Sequence, residues 1–239
     1  MKLFNIVVLH FIFISCTTNK NIEKIYATAY MQNAAEVTAI HLQVFNSARA
    51  ELIRLISEKK LPKNPVIIVD VDETVLNNTP YEAKNILKNE SYPKGWEKWV
   101  SLARAEKIMG SVNFIKFAQS KGVKTFYITN RREVGRKATL KNLINLGFPV
   151  SDKFLIMRTD QHSKTKRREL VKKKHNPIMY FGDNLSDFSD EFNQKKGVKR
   201  ADIVLKYKDL FGKKFFILPN PMYGDWINYK NLKNSLKSF

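Results

Sequence analysis

Five short runs of β-branched and aromatic residues, separated by segments of helical periodicity, constrain the fold of this chain more than any other feature. The run at 66–69 is continuously apolar rather than alternating, which is typical of a strand buried on both faces of a parallel sheet, and the other four runs are similar. The intervening segments place apolar residues at three- and four-residue steps, as helices with one buried face do. This pattern predicts an α/β fold with a doubly wound, mostly parallel sheet. The predicted strands are 66–69, 123–128, 154–157, 178–181 and 215–218.

The 239 residues are enough for one large domain, or for one domain with an insertion. Residues 16–64 are predicted to form a linker and a helical region, because the stretch from 25 to about 60 lacks Pro and Gly and is amphipathic, with room for one break. His41 lies near the apolar stripe of that region, and we expect it to pack there rather than to bind a metal. Residues 65–239 are the predicted core, with a small helical cap inserted at about 76–110. Further helices are predicted at 112–120 and 133–146.

The N-terminus has the pattern of a signal peptide over residues 1–15: one positive residue, a short apolar stretch and a small residue at the boundary. The apolar stretch is too short to span a bilayer as a helix. Cys16 is the single cysteine of the chain, and residues 13–16 resemble a bacterial lipobox, in which the cysteine is lipidated. We therefore expect an exported lipoprotein that is anchored through Cys16 in the outer membrane or at the cell surface. An ordinary cleaved signal peptide, or a buried helix with an incidental cysteine, are the alternatives.

The charge balance favours anionic partners. Lys and Arg number 42 against 22 for Asp and Glu, which gives a formal net charge of +20. No nucleic-acid recognition motif accompanies this excess, so binding to nucleic acid is not expected. Phosphorylated small molecules remain the anionic partners that the rest of the sequence supports.

Polar side chains follow the predicted strands at the points where ligands bind in doubly wound folds. Asp70 and Asp72 follow the first strand, and two carboxylates in one crevice favour a divalent cation that prefers oxygen ligands. Thr129, Asn130 and Arg131 follow the second strand, where a hydroxyl, an amide and a guanidinium could hold a phosphate. Each string alone could instead be a solvated turn or a helix cap.

Two further segments complete this pattern. Asp183 and Asp187 form a second acidic pair after the fourth strand, and a basic run at 162–168 offers countercharge for a phosphate. Such a run is more often a solvated helix face. The combination is more specific than its parts, because four requirements of phosphoryl transfer occur in chain order at successive strand ends.

In this combination the sequence resembles the haloacid dehalogenase superfamily of aspartyl-phosphate enzymes, whose ordered motifs are D-x-D-x-[TV], a Ser or Thr after strand two, a Lys, and a final acidic pair. More narrowly, it is similar to the class C acid phosphatase and 5′-nucleotidase lipoproteins of bacterial outer surfaces. The strings that carry the narrower resemblance are residues 69–78, 126–131, 182–188 and 218–226.

The resemblance implies a Mg²⁺-dependent acid phosphatase or 5′-nucleotidase that hydrolyses phosphomonoesters, above all nucleoside monophosphates. Asp70 would be the nucleophile, and Asp72 the general acid and base. The metal residues would be Asp70, Asp72 through its carbonyl, Asp183 and Asp187. A phosphotransferase, or a surface lipoprotein that binds anionic ligands without catalysis, are the alternative functions.

The family motifs also assign residues to the substrate. Thr129, Asn130 and a lysine would hold the phosphate, and alignment of the following two arginines makes Lys164 the match, with Lys166 as the alternative. An aromatic residue of the cap and a late tyrosine would flank a nucleobase. Those aromatic residues would be Trp96, with Trp99 as the alternative, and Tyr223.

Overall fold

The computed structural model describes residues 22–193 and 200–227. Within these residues a five-stranded sheet lies between two layers of helices, and all of its paired strands are parallel. This confirms the predicted α/β fold. The helices are α1 (Ile22–Asn33), α2 (Ala35–Ser57), α3 (Thr79–Leu87), α4 (Trp96–Ser101), α5 (Ser111–Ser120), α6 (Arg136–Asn145), α7 (Thr165–Lys172) and α8 (Arg200–Lys206); the strands are β1 (Pro65–Val69), β2 (Leu76–Asn77), β3 (Glu106–Lys107), β4 (Lys124–Arg132), β5 (Leu155–Arg158), β6 (Asn176–Gly182) and β7 (Phe215–Ile217).

The central strand β1 separates two hydrophobic cores. Successive side chains of a strand point to opposite faces of the sheet. Ile67 and Val69 accordingly lie in one core, which α2 and α5 cover, while Val66 and Ile68 lie in the other, which α7 and α8 cover. Burial on both faces explains why the strand sequences are continuously apolar.

The N-terminal helical region consists of the two helices α1 and α2, with a break at Ala34. The amide of Ala34 still donates to the carbonyl of Tyr30, at 3.0 Å, so the break leaves one helical hydrogen bond in place. Helix α2 buries Val37, His41, Phe45, Ala48 and Leu52, a stripe with three- and four-residue steps. None of the helices within the described ranges combines the length and the hydropathy that are needed to cross a membrane.

The segment predicted as a helical cap contains α3 and α4, but it also contains a short antiparallel ribbon of β2 and β3. Leu76 pairs with Lys107, and the amide of Ile108 donates to the carbonyl of Val75 at 2.9 Å. The ribbon therefore holds the two ends of the segment side by side, close to the carboxyl end of β1. Strands of two residues carry no periodicity, which is why the sequence pattern did not predict them.

In the strand order β5-β4-β1-β6-β7, strands β4 and β5 are added on one side of β1, and β6 and β7 on the other. The order in which strands are added to the sheet therefore reverses between β1 and β6. In open α/β sheets, the crevice at such a reversal is where ligands bind. Strand β4 continues to Arg132 instead of ending at residue 128 as predicted, because a register shift restores its pairing with β5 at Arg158. The polar residues expected after the second strand are thus part of it.

Candidate active site

Asp70 lies in the crevice, directly after β1. Its amide donates to the carbonyl of Phe181 at 2.9 Å, so the hydrogen bonding to β6 continues through this residue and fixes its backbone. Its carboxylate is buried and forms an ion pair with the ammonium group of Lys164. The same ammonium group lies 2.6 Å from a carboxylate oxygen of Asp187. Lys164 therefore bridges the first and the last acidic motif of the sequence.

Asp70, Asp183 and Asp187 form one acidic cluster, which we call the carboxylate triad. Each contributes one carboxylate oxygen to a group whose atoms all lie within 4.8 Å of one another. The amide group of Asn220 donates to Asp183 at 2.7 Å, and the hydroxyl of Thr74 lies 3.5 Å from its other oxygen. These contacts orient Asp183, and clustered carboxylate oxygens are the ligands that hard divalent cations prefer.

Asp187 belongs to a 3₁₀ turn that brings its side chain close to the end of β6. The side chain of Asn184 caps this turn, and the carboxylate of Asp187 accepts from the amide of Asn184 at 3.1 Å. A Cβ atom on Gly182 would lie 2.3 Å from an oxygen of Asp187. Glycine is therefore required at the end of β6, because any side chain there would displace a member of the carboxylate triad.

Burial and mutual repulsion dominate the electrostatics of the triad. Burial and the neighbouring Asp187 raise the pKa of Asp183 to about 7, and burial raises the pKa of Asp70 well above its usual range despite the opposing effect of Lys164. Burial alone would lower the pKa of Lys164, but the carboxylates of Asp187 and Asp70 raise it above its ordinary value. Cation binding requires the ionised carboxylates; three of them with one ammonium carry a net charge of −2, which a divalent cation would neutralise.

Asp72 lies in a different environment from the triad. Its carboxylate accepts from Arg131 at 2.8 and 2.9 Å and from the amide group of Asn78 at 2.9 Å, and the hydroxyl of Thr129 lies 3.4 Å away. Asp72 was predicted as a metal residue through its carbonyl, and its side chain is outside the carboxylate triad. Arg131 is only 2% exposed and also donates to Thr139, so it holds Asp72 rigidly.

The residues predicted to bind phosphate occupy three different positions. Thr129 is fully buried, and its hydroxyl faces Asp72 and the amide of Arg131, so it does not line the crevice. Asn130 does line the crevice, and its amide oxygen accepts from Arg167 at 2.7 Å. Lys164 lines the crevice with its ammonium group inside the triad.

The basic run at 162–168 divides into residues with separate environments. Lys166 is exposed, whereas Lys164 is buried, which distinguishes the two predicted alternatives. Arg167 donates to Asn130 and to the carbonyls of Thr129 and His162. The expectation that the whole run provides countercharge is therefore too broad. Part of the run supports the fold instead, because the buried guanidinium groups of Arg167 and Arg168 donate to main-chain carbonyls.

A cavity of about 500 Å³ opens above the carboxylate triad. Trp96 lines it and packs edge-on against Tyr81, with ring centroids 5.0 Å apart. Trp99 instead donates from its indole nitrogen to Asn78 at 2.8 Å and packs against the hydrophobic core. Tyr223 lines the cavity as well. The two aromatic residues predicted to contact a base, Trp96 and Tyr223, thus share one cavity.

The sequence analysis missed several residues that position this site. Asn78 and Asn220 hold Asp72 and Asp183, and Arg131 was assigned to phosphate although it pairs with Asp72. Tyr81 and Tyr92 add aromatic surface to the cavity beside the predicted Trp96. The two asparagines lie inside strings that resemble the family, and proximity to those motifs was the only available signal for them.

Comparison with known proteins places this geometry in context. Two solved structures of a class C acid phosphatase from Bacillus anthracis superpose on the chain. The structure with tungstate bound has a TM-score of 0.83 at 36% identity, and the match covers 92% of this chain and 97% of that chain. The other structure has a TM-score of 0.81 at 37% identity, and the match covers 90% of this chain and 94% of that chain. Acid phosphatase 1 of Solanum lycopersicum is 30% identical over 166 residues, which are 66% of this chain. The match spans 58% of the length of that plant relative.

A family model described as "HAD superfamily, subfamily IIIB (Acid phosphatase)" matches residues 11–226. This range contains both acidic motifs, the bridging Lys164 and the aromatic residues of the cavity. The chain therefore belongs to the subfamily IIIB acid phosphatases of the HAD superfamily.

Proposed function

We propose that this protein is a Mg²⁺-dependent phosphomonoesterase that acts through an aspartyl-phosphate intermediate. The observation that carries the proposal is the contact of Lys164 with both Asp70 and Asp187 at the floor of an open cavity. A tetrahedral oxyanion placed there would meet a nucleophile and a fixed cation together. The similar Bacillus anthracis acid phosphatase has tungstate, an oxyanion, bound.

In the proposed reaction, a carboxylate oxygen of Asp70 attacks phosphorus while the bond from phosphorus to the ester oxygen breaks. Asp72 donates a proton to the departing oxygen, and Arg131 and Asn78 hold its carboxyl group in place. Water then attacks phosphorus and gives a proton to Asp72, while the bond from phosphorus to the Asp70 oxygen breaks, so inorganic phosphate leaves and the carboxylate of Asp70 is regenerated. Lys164 balances charge on the transferring group throughout.

The carboxylate triad suits a magnesium ion, because it offers oxygen ligands and two uncompensated negative charges. Asp70, Asp183 and Asp187 would hold it. A bound magnesium ion would supply charge neutralisation that lets the anionic substrate approach the anionic nucleophile.

Phosphate release from a panel of monoesters, with added Mg²⁺ and with a chelator, tests the activity. We expect the Asp70→Asn variant to lose at least about 10³-fold in kcat, because an amide cannot form the covalent intermediate. Asp202→Asn, at an exposed position of α8, is the matched control and should retain the wild-type rate. Wild-type turnover by purified Asp70→Asn would refute the covalent mechanism. Phosphate binding without turnover in the wild-type protein would instead favour the non-catalytic alternative.

We further propose that nucleoside 5′-monophosphates are preferred substrates, with the base between Trp96 and Tyr223. Stacking contributes roughly 1–3 kcal/mol per base and tolerates any base. Tyr223→Ala should therefore raise the KM for adenosine monophosphate by ~5- to 150-fold, and should affect a small alkyl phosphate much less. Tyr26→Ala, at a residue that is 85% exposed on α1, is the control. Equal losses on both substrates would mean that Tyr223 only supports the fold.

We also propose that the protein is exported and anchored by lipid at Cys16, which lies outside the described residues. The support is the sequence pattern at the N-terminus. The Cys16→Ala variant should leave the membrane fraction or remain unprocessed. If its size and its membrane attachment match those of the wild type, this cysteine is not the anchor.

A further inference from the structure

We propose that Arg158 and His162 form a second anion-binding subsite in the active-site cavity, which selects phosphomonoesters whose alcohol part carries a second phosphate. This inference rests on the proposed function, because it concerns the substrate of the same cavity. It follows from a buried cation that lacks a carboxylate partner.

Arg158 is the last residue of β5, and it is buried, with 7% of its surface exposed. It lines the cavity next to His162. One of its terminal nitrogens, Nη1, lies 3.0 Å from each ring nitrogen of His162. An imidazole ring carries no negative charge, so His162 does not neutralise the guanidinium of Arg158.

The other Lys and Arg residues that line the cavity are all neutralised. Within the described ranges each has a carboxylate partner at ion-pair distance, whereas Arg158 has none. Residues 1–21, 194–199 and 228–239 contain no Asp or Glu, so their side chains offer no missing partner either. The neutralised pairs are Lys24 with Glu82, Arg131 with Asp72, and Lys164 with Asp70 and Asp187.

A buried cation without a partner is costly, and it is usually explained by an anion that binds there. Arg167 does not fill this role, because its guanidinium is occupied by Asn130 and by main-chain carbonyls. In contrast, the side-chain hydrogen bonds of Arg158 within the described residues are confined to the ring of His162. Its remaining N–H groups can point to a ligand in the cavity.

The position of Arg158 sets the spacing of the two anions. Strand β5 is two strands away from β1 in the sheet order, at about 4.8 Å per step, and Arg158 lies about two residues further along the sheet than Asp70, so the two main chains are about 12 Å apart. The side chains of Asp70 and Arg158 line the same cavity, which reduces the distance that a ligand must span between them. A nucleoside 3′,5′-bisphosphate or a sugar bisphosphate has its phosphates across a sugar ring, so one can face Asp70 while the other meets Arg158.

The test compares kcat/KM within two substrate pairs, at one fixed salt concentration. The pairs are adenosine 3′,5′-bisphosphate with adenosine 5′-monophosphate, and fructose 1,6-bisphosphate with fructose 6-phosphate. We expect the wild type to favour a bisphosphate by about tenfold or more, as a charge-assisted contact would provide. The pair with the larger ratio identifies whether the second phosphate belongs to a nucleoside or to a sugar.

Variants separate a specific contact from general attraction by positive charge. Arg158→Gln should lower the bisphosphate preference about tenfold, whereas Lys166→Gln, which removes an exposed charge nearby, should leave it within about twofold. His162→Gln, at an exposed residue, should also reduce the preference, and it serves if Arg158→Gln fails to fold. A wild-type ratio near one in both pairs, or an equal effect of Lys166→Gln, would overturn the inference. If monophosphates are hydrolysed in that case, the proposed function stands alone; if no ester is hydrolysed, both fail.

Discussion

His41 gives the clearest expected link between this structure and the pH dependence of its stability. The imidazole lies in the buried stripe of α2 with 5% of its surface exposed, and within the described residues its Nε2 atom has no hydrogen-bond partner. Burial lowers the pKa of His41 from 6.5 to about 4 in the folded protein. Below pH 6.5 the unfolded chain therefore binds a proton that the folded chain refuses, so acid reduces the free energy of unfolding.

The magnitude follows from the two pKa values. The shift from 6.5 to about 4 corresponds to at most about 3 kcal/mol, of which roughly 2 kcal/mol is already lost at pH 5. The His41→Leu variant removes the titrating group while keeping a side chain of similar size. Relative to the wild type, the variant should therefore gain about 2 kcal/mol of stability when the pH falls from 7.5 to 5.

Urea unfolding at both pH values, followed by tryptophan fluorescence, measures this difference. Gln43→Leu is the control, because it places the same side chain at an exposed position of the same helix and removes no titrating group. Its stability relative to the wild type should not change with pH. If the difference between wild type and His41→Leu is the same at both pH values, within about 0.5 kcal/mol, then His41 is not a buried neutral histidine.

Two further predictions concern the carboxylate triad. Gly182→Ala should lower both stability and the phosphatase rate, because the added Cβ would lie 2.3 Å from an oxygen of Asp187; unfolding and kcat measurements check this, and an unchanged kcat would show that the turn can move freely. Asn220→Ala removes the donor that lies 2.7 Å from Asp183, so the variant should need on the order of tenfold more Mg²⁺ for half-maximal activity. A metal titration that overlays the wild-type curve would mean that Asn220 does not orient Asp183.

Residues whose signals are local in the chain could be predicted from the sequence. The strands at 66–69 and 178–181 are continuous apolar runs, and Asp70 and Asp183 follow them directly, so the sheet edge that brings them together could be inferred. The break within the N-terminal helical region was also anticipated. These features depend on periodicity and on the geometry of parallel sheets, both of which a sequence displays.

Features that depend on contacts between distant segments could not be predicted in this way. Asn220 reaches Asp183 across 37 residues, and Arg131 reaches Asp72 across 59, with no periodic pattern to connect them. The type of a residue also does not reveal its partner. Arg131 appeared suited to phosphate, but a buried guanidinium so close to an aspartate pairs with that aspartate first.

The ribbon of β2 and β3 has a consequence for how the chain could change its substrates. Because Leu76 and Lys107 lie directly opposite each other in the ribbon, the segment between them leaves and re-enters the core at one place. Lengthening a segment whose ends are held together adds little to the entropic cost of closing it, since that cost grows only with the logarithm of the segment's length. A different segment could replace the one between these two residues while the amide of Asp70 stays hydrogen-bonded to the carbonyl of Phe181. The walls of the cavity can thus be rebuilt without moving Asp70.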